Sequence, residues 1–329
     1  MNIKFIIAVV VLTAIALFFT FSSGKSDEIT TQPSTALTTS SQAVTSATDP
    51  TQAPTSTEDV SVAVTALSEK LSISAPQAGL YNLTTGKVLY EKAAKKKISP
   101  ASLTKILTAI TALTYMKSDT VITVGSELDI LPKHSSICLI SKGHRLTLYD
   151  LLTGMLVSSG NDAAYTVAVN VARHVSSDKL NDREALSYFV SLMNGIADLL
   201  GCTNSNFKTP DGYDAEGQYT TVQDLSLIYT YALNFKEIRE IVSIDQKKVV
   251  FASGENITWS NTNKLLHKDN AYYFPAAIGM KTGTTTKAGH CLIAAAKINS
   301  QIFLCVVTGG KDDDQRYKSA LKLLDSIEA

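Results

Sequence analysis

A break in composition near residue 60 sets the limits on what this chain can fold into. From Ser22 to about Glu58 it is built from Ser, Thr, Ala, Gln and Pro, with almost no large apolar side chains. Such a stretch cannot bury enough surface to offset the entropy of ordering it, so it stays solvated. Only the part from about residue 60 to residue 329 carries hydrophobic periodicity, and it is ample for a sizeable core. The solvated stretch reads either as a tether with a reach to span or as a disordered leader with none.

Ahead of it, Phe5 to Phe21 is an apolar run broken only by Thr13 and Thr20, following the single basic Lys4. A spanning helix needs roughly 17 to 25 such residues, so residues 1–22 read as a signal peptide or an N-terminal membrane anchor. Retention as an anchor is the preferred reading. Ser22-Ser23-Gly24 is a weak cleavage site, and the closing segment with Leu321, Leu323 and Leu324 looks like part of the fold rather than a second anchor.

Several function classes are disfavoured early. Thirty basic residues balance thirty acidic ones with no basic block, so nucleic acid is not an expected partner. Cys138, Cys202, Cys291 and Cys305 lie far apart without Cys-x-x-Cys spacing, against a zinc ribbon or dithiol site. Cys291 and Cys305 sit inside apolar runs, and free buried thiols are expected. The five histidines show no metal spacing and no Gly-x-Ser-x-Gly elbow is present. Neither metal nor cofactor is expected.

The folded part opens with a hairpin, Gly79 to Leu83 and Lys87 to Tyr90, turning at Thr84-Thr85-Gly86. Apolar residues spaced by three and four predict helices over Leu146–Leu156, Asp162–His174 and Glu184–Leu200. A capping box at Thr220-Thr221-Val222-Gln223 predicts another, running to about Leu233. Strands return at Ala277–Thr282, Cys291–Ala296 and Ile302–Val307, before a closing helix from about Gln315 to Ile327. Strands at both ends with helices between them predict a sheet interrupted by a helical part.

The chemistry starts at Ser99-Pro100-Ala101-Ser102-Leu103-Thr104-Lys105. Ser99 suits an N-cap and Pro100 the first helical position, which puts Ser102 in a first turn whose N–H groups lack intrahelical partners. Lys105, three residues on, shares its face and can reach the Ser102 hydroxyl. Any solvated helix start would give the same short pattern. Ser159-Gly160-Asn161 falls between two predicted helices, and Lys281-Thr282-Gly283-Thr284 ends a predicted strand; each alone is equally compatible with a polar turn.

Together, in that order and on those elements, Ser-x-x-Lys, Ser-x-Asn and Lys-Thr-Gly resemble the motif set of the penicillin-recognising serine enzymes. Pro100–Lys105, Leu146–Ala164, Phe207–Leu225 with Gly212-Tyr213-Asp214-Ala215, and Gly279–Gly310 are similar to the low-molecular-weight D-alanyl-D-alanine carboxypeptidases. The resemblance implies an α+β fold of the β-lactamase/transpeptidase type, an antiparallel sheet flanked by helices with an all-helical lobe bearing Ser159 and Asn161. It implies a carboxypeptidase domain over residues 61–329, carried on the 23–60 linker at the outer face of the bacterial membrane. Peptidoglycan stem peptides would be the substrates and β-lactams covalent inhibitors.

By the same resemblance, Ser102 is the nucleophile, Lys105 its base, Ser159 a proton relay, and Asn161 the holder of Lys105 and of the substrate amide. Lys281 would lower the Lys105 pKa, Ser102 N–H and Thr284 N–H would meet the oxyanion, and Thr282 and Gly283 belong to the binding strand. Arg316, after Gly309-Gly310, stands where a carboxylate-binding arginine is expected, with Thr282 as its hydroxyl partner. Two rivals stay open: a β-lactamase-like hydrolase, although no Glu-x-x-x-Asn element occurs over about residues 185–205, and a non-hydrolytic penicillin-sensing or wall-binding module.

Overall fold

The computed structural model describes residues 71–327. The expected signal or anchor at 1–22 and the linker at 23–60 lie outside them. Among the described residues no helix is long and apolar enough to cross a membrane.

Among the described residues, nine strands and seven α-helices follow in chain order. They are β1 Gln77–Asn82, β2 Lys87–Lys92, α1 Lys105–Tyr115, β3 Val121–Thr123, β4 Arg145–Thr147, α2 Leu148–Val157, α3 Asn161–Val175 and α4 Asp182–Leu199. Then come α5 Val222–Ala232, α6 Lys236–Val242, β5 Gln246–Val250, β6 Asn256–Ser260, β7 Ala277–Thr285, β8 Gly289–Ile298, β9 Gln301–Gly310 and α7 Asp313–Asp325.

Five strands form one antiparallel sheet in the order β2-β1-β9-β8-β7, so the first hairpin pairs with the last strands of the chain and β7 is an edge. Alternate residues of β8 explain why this sheet needs a cover on each face. Leu292, Ala294 and Ala296 join Leu80, Phe303, Cys305 and Val307 against Tyr317, Ala320, Leu323 and Leu324 of α7. The intervening Ile293, Ala295, Leu304 and Val306 are also fully buried, on the face where α5 packs over β9 and β1. At roughly 1.5–3 kcal/mol per large apolar side chain, these two layers fix the register of β8 and β9, and β7 pairs along β8.

Helices α1 to α4 pack on one another and carry the middle of the chain, as the helical spacing predicts. Boundaries moved where caps decide them. Asn181 and Glu184 make a reciprocal capping box that starts α4 two residues earlier than expected. The box expected at Thr220 and Gln223 does not form. Thr221 caps α5 by accepting from Asp224 N–H, and the Gln223 amide turns away to donate to Glu91. The expected Ser99 cap is absent too: a 3-10 turn, Ala101–Thr104, precedes α1 and has no side-chain cap. All four cysteines are free and buried.

Candidate active site

The segment leading into α1 is shaped by what crosses it. Ala101 adopts a left-handed φ of 49°, and the backbone of Gly212 runs so close that a Cβ there would lie 1.7 Å from Ala101 O. Only glycine fits, because its own φ is 79° and no side chain can enter. On the other side β7 passes over the same turn. A Cβ on Gly283 would lie 3.0 Å from Ser102 N and 3.2 Å from Leu103 N. Ser102 is thereby wedged between two glycine-bearing segments far apart in sequence, its N–H against β7.

The hydroxyl of Ser102 sits 2.7 Å from Lys105 Nζ, which also lies 2.7 Å from Asn161 Oδ1 and donates to the Asp211 carbonyl at 3.1 Å. Lys281 Nζ is 2.9 Å from Ser159 Oγ and 2.9 Å from Thr282 O. The structure therefore brings Ser102, Lys105, Ser159, Asn161 and Lys281 into one cluster at the meeting of α1, the α2–α3 turn and β7. Ser159 is held there at a φ of 63°, a conformation costing a non-glycine residue on the order of 1–3 kcal/mol. Such strain is typical of positions where side-chain placement, not stability, decides the residue.

Neither lysine bonds to a carboxylate in this cluster, and both are fully buried. Burial pushes Lys105 down to about 8, opposed by the carboxylates of Asp211 and Asp162. Burial also pushes Lys281 well below its ordinary value, reinforced by the charges of Lys105 and Arg316. The repulsion expected between the two lysines acts chiefly on Lys281, while desolvation is the main cause for Lys105. An amine with a pKa near 8 is neutral in roughly a tenth of molecules at pH 7 and can accept a proton.

Arg316 is buried at the start of α7, with Nη1 donating to Thr284 Oγ1 at 3.2 Å and to the carbonyls of Gly283 and Cys291. Its charge is balanced by Asp313 at 2.6 Å, and among the described residues Nε has no partner. The hydroxyl beside Arg316 is Thr284 rather than the expected Thr282, whose Oγ1 instead bonds Thr262 Oγ1 at 2.6 Å. Asp313 also pairs with Lys264 and with His290, so one of the five histidines stands near the arginine.

Three aspartates support the cluster without having been assigned a role from sequence. Asp162, one residue past Asn161, accepts from Cys138 N–H and Ile140 N–H and pins the loop whose Ser136 lines the cleft. Trp259 of β6 fastens the same loop by donating to Cys138 O at 2.8 Å. Asp211 supplies its carbonyl to Lys105. Asp214 accepts from Ser99 Oγ, Thr285 Oγ1 and Lys287 N–H, clasping the approach to α1 to the end of β7. Asp214 lies in the Gly212-Tyr213-Asp214-Ala215 stretch that carries part of the resemblance, and Asp211 directly precedes it. The cleft left between these parts holds about 300 Å³, lined among others by Ser102, Asn161, Tyr213 and Thr284.

Residues 63–312 match the profile of the D-alanyl-D-alanine carboxypeptidase peptidase family. This chain belongs to that family. Among relatives, it is 33% identical over 276 residues to the D-alanyl-D-alanine carboxypeptidase DacC of Escherichia coli and 29% identical over 261 residues to DacF of Bacillus subtilis. These alignments cover 80% and 78% of this chain but 64% and 63% of those relatives, so the chain spans just under two thirds of their length. Among solved structures, the Streptomyces K15 DD-transpeptidase superposes with a TM-score of 0.71 at 29% identity, covering 78% of this chain and 97% of that one. The carboxypeptidase DacD of Francisella tularensis gives 0.68 at 27% identity, covering 79% and 71%. The α+β fold with its antiparallel sheet and helical lobe is that of this carboxypeptidase family.

Proposed function

We propose that the chain is a serine-type D-alanyl-D-alanine carboxypeptidase acting on peptidoglycan stem pentapeptides at the outer face of the bacterial cytoplasmic membrane. The observation that carries this reading is the 2.7 Å approach of Lys105 Nζ to Ser102 Oγ, inside a buried site that lowers the amine pKa.

The steps follow from that pair. Neutral Lys105 takes the Ser102 proton as Oγ adds to the carbonyl carbon of the penultimate D-alanine. The oxyanion meets Ser102 N–H and Thr284 N–H, donors fixed in advance by the crossing of β7 over the 3-10 turn. Collapse breaks the C–N bond, and the leaving amine takes a proton through Ser159, which Lys281 holds in place. Water then attacks the ester with Lys105 again as base, freeing Ser102 and the shortened peptide. Edge strand β7 offers its open side to an extended peptide, and Asn161 holds both Lys105 and the substrate amide. The terminal carboxylate is received by Arg316 with Thr284, and by Lys281, Thr282 and Gly283 on the strand.

β-Lactams enter the same site and acylate Ser102, with slow release. Residues 5–21 hold the protein at the membrane, and residues 23–60 set its reach.

The test is D-alanine release from a pentapeptide ending in D-Ala-D-Ala by the full chain and by Ser102→Ala, with labelled penicillin as a trap. Release and labelling that both vanish in the variant support the reading. Labelling without release favours the non-hydrolytic module, and rapid turnover of the penicillin favours the β-lactamase-like hydrolase.

A further inference from the structure

A second and larger groove, about 500 Å³, opens on the other side of the clasp that Asp214 makes with Ser99, Thr285 and Lys287. Its walls carry Lys96, Lys97 and Lys287 and no Asp or Glu. Among the described residues none of these lysines pairs with a carboxylate. Lys97 Nζ is instead held 3.9 Å above the Tyr219 ring, an orientation that keeps the charge at the groove. The chain is formally neutral overall, so three unneutralised cations in one groove are a local feature and not the by-product of a basic protein.

The groove is in line with the catalytic cleft. The open cleft runs from Ser102 past Thr284 and Thr285 to Thr286, and Lys287 follows directly. Under the reading above, the carboxyl end of the peptide lies at Lys281 and Arg316, so its amino-terminal side leaves along Thr285 and Thr286. Lys287 is three residues beyond Thr284, at most about 10 Å in an extended chain, the length of about three peptide residues. Asp214, the carboxylate on the shared wall, has both oxygens engaged and its charge is met by three donors.

We propose that this lysine groove is a specificity subsite for an acidic residue two or three positions upstream of the scissile bond. The inference rests on the carboxypeptidase reading for the direction of the peptide. It assigns Lys97 and Lys287 as the binding residues. The Lys287 N–H, not its amine, serves Asp214, so its side chain can be changed without touching the clasp.

Two peptides ending in D-Ala-D-Ala test it, with Glu or Gln at the second or third residue upstream of the cleaved bond. With the full chain, KM is expected to be about fivefold lower for the Glu peptides, and the preference to shrink as salt is raised. Lys97→Gln combined with Lys287→Gln should raise KM for the Glu peptides about fivefold, leaving kcat, the Gln peptides and penicillin labelling unchanged. Equal KM for Glu and Gln peptides, or an equal rise for both in the variant, overturns the proposal. The same comparison made by binding to Ser102→Ala reads the groove without turnover. A preference for Glu there, with no hydrolysis by the intact chain, keeps the subsite and sinks the carboxypeptidase reading. Binding of polyphosphate with indifference to Glu or Gln assigns the lysines to another polyanion and overturns the subsite.

Discussion

Lys105 Nζ lies 2.7 Å from Ser102 Oγ and 2.7 Å from Asn161 Oδ1, so one amine is shared between the Ser102 hydroxyl and the helical lobe. Its third contact is the Asp211 carbonyl. The Asp211 and Asp162 carboxylates raise its pKa and burial lowers it, with burial prevailing at about 8. Only the neutral amine accepts a proton, so penicillin acylation should rise with pH through a midpoint near 8 and flatten above it, being about tenfold slower at pH 7 than on the plateau. Because Lys281 titrates in the same site, the measured midpoint belongs to the pair. Asp211→Asn removes a charge that favours the ammonium, which should move the rise to lower pH. A shift to higher pH would refute this electrostatic account.

Gly283 is the point at which β7 and the Ser102 turn meet. The nearest atoms to an added Cβ are the Ser102 N, the Ala101 Cβ and the Leu103 N, two of them backbone and none on a flexible side chain. Gly283→Ala must therefore push the strand away from the turn. A stability loss of about 1–3 kcal/mol is expected from overpacking, with a fall in acylation rate on the order of a hundredfold as the N–H donors separate. Thermal denaturation and penicillin labelling report the two effects separately. Labelling at the wild-type rate would show that the strand and turn do not need this approach.

Arg316 is buried, balanced by Asp313, and reaches Thr284. If it receives the terminal carboxylate, Arg316→Gln should raise KM for a D-Ala-D-Ala peptide by at least tenfold. A peptide ending in a C-terminal amide should be handled equally poorly by both proteins. Asp313→Asn separates placement from charge: the arginine stays, and its partner weakens. We expect an intermediate rise in KM with little change in kcat. An equal loss for acid and amide peptides would mean that Arg316 only supports β7.

The motif residues were legible because each sits where local rules hold: after a proline, between two periodic helices, at the end of an apolar strand. Their meeting was not, because it depends on contacts between distant segments. Gly212 against Ala101 and Gly283 against Ser102 join parts 111 and 181 positions apart, and no periodicity records such pairs. The expected pairing of Thr282 with Arg316 is replaced for a similar reason. Thr282 and Thr284 share a face of β7, and their position along the strand decides between them: Thr284 lies level with Arg316, while Thr282, two residues back, bonds Thr262. The Ser99 cap was lost because the turn starts only at Ala101, at a left-handed φ of 49°, and the Ser99 hydroxyl donates instead to Asp214, 115 residues away. The α5 cap moved by one residue because Thr220 is taken up by a backbone bridge to Ile98 and by the Ser205 hydroxyl, and Gln223 by Glu91.

Asp214 is where these long-range links converge. One carboxylate oxygen accepts from both Ser99 and Thr285 at 2.8 Å, and the other from Lys287 N–H at 3.0 Å. It thus ties the approach to Ser102 to the end of β7. Asp214→Ala removes all three acceptor contacts at once. The hydroxyls can turn to water, but the Lys287 N–H loses its charged partner, and a destabilisation of about 2–3 kcal/mol is expected. The sharper consequence is kinetic. With the two segments untied, kcat for peptide hydrolysis should fall about tenfold or more, while the pH midpoint of acylation stays in place, because Asp214 makes no contact with either lysine amine. Asp214→Asn, which keeps an acceptor oxygen, should recover part of the rate. A displaced pH midpoint in Asp214→Ala, or no recovery in Asp214→Asn, would mean that this carboxylate acts through its charge on the site and not as a clasp.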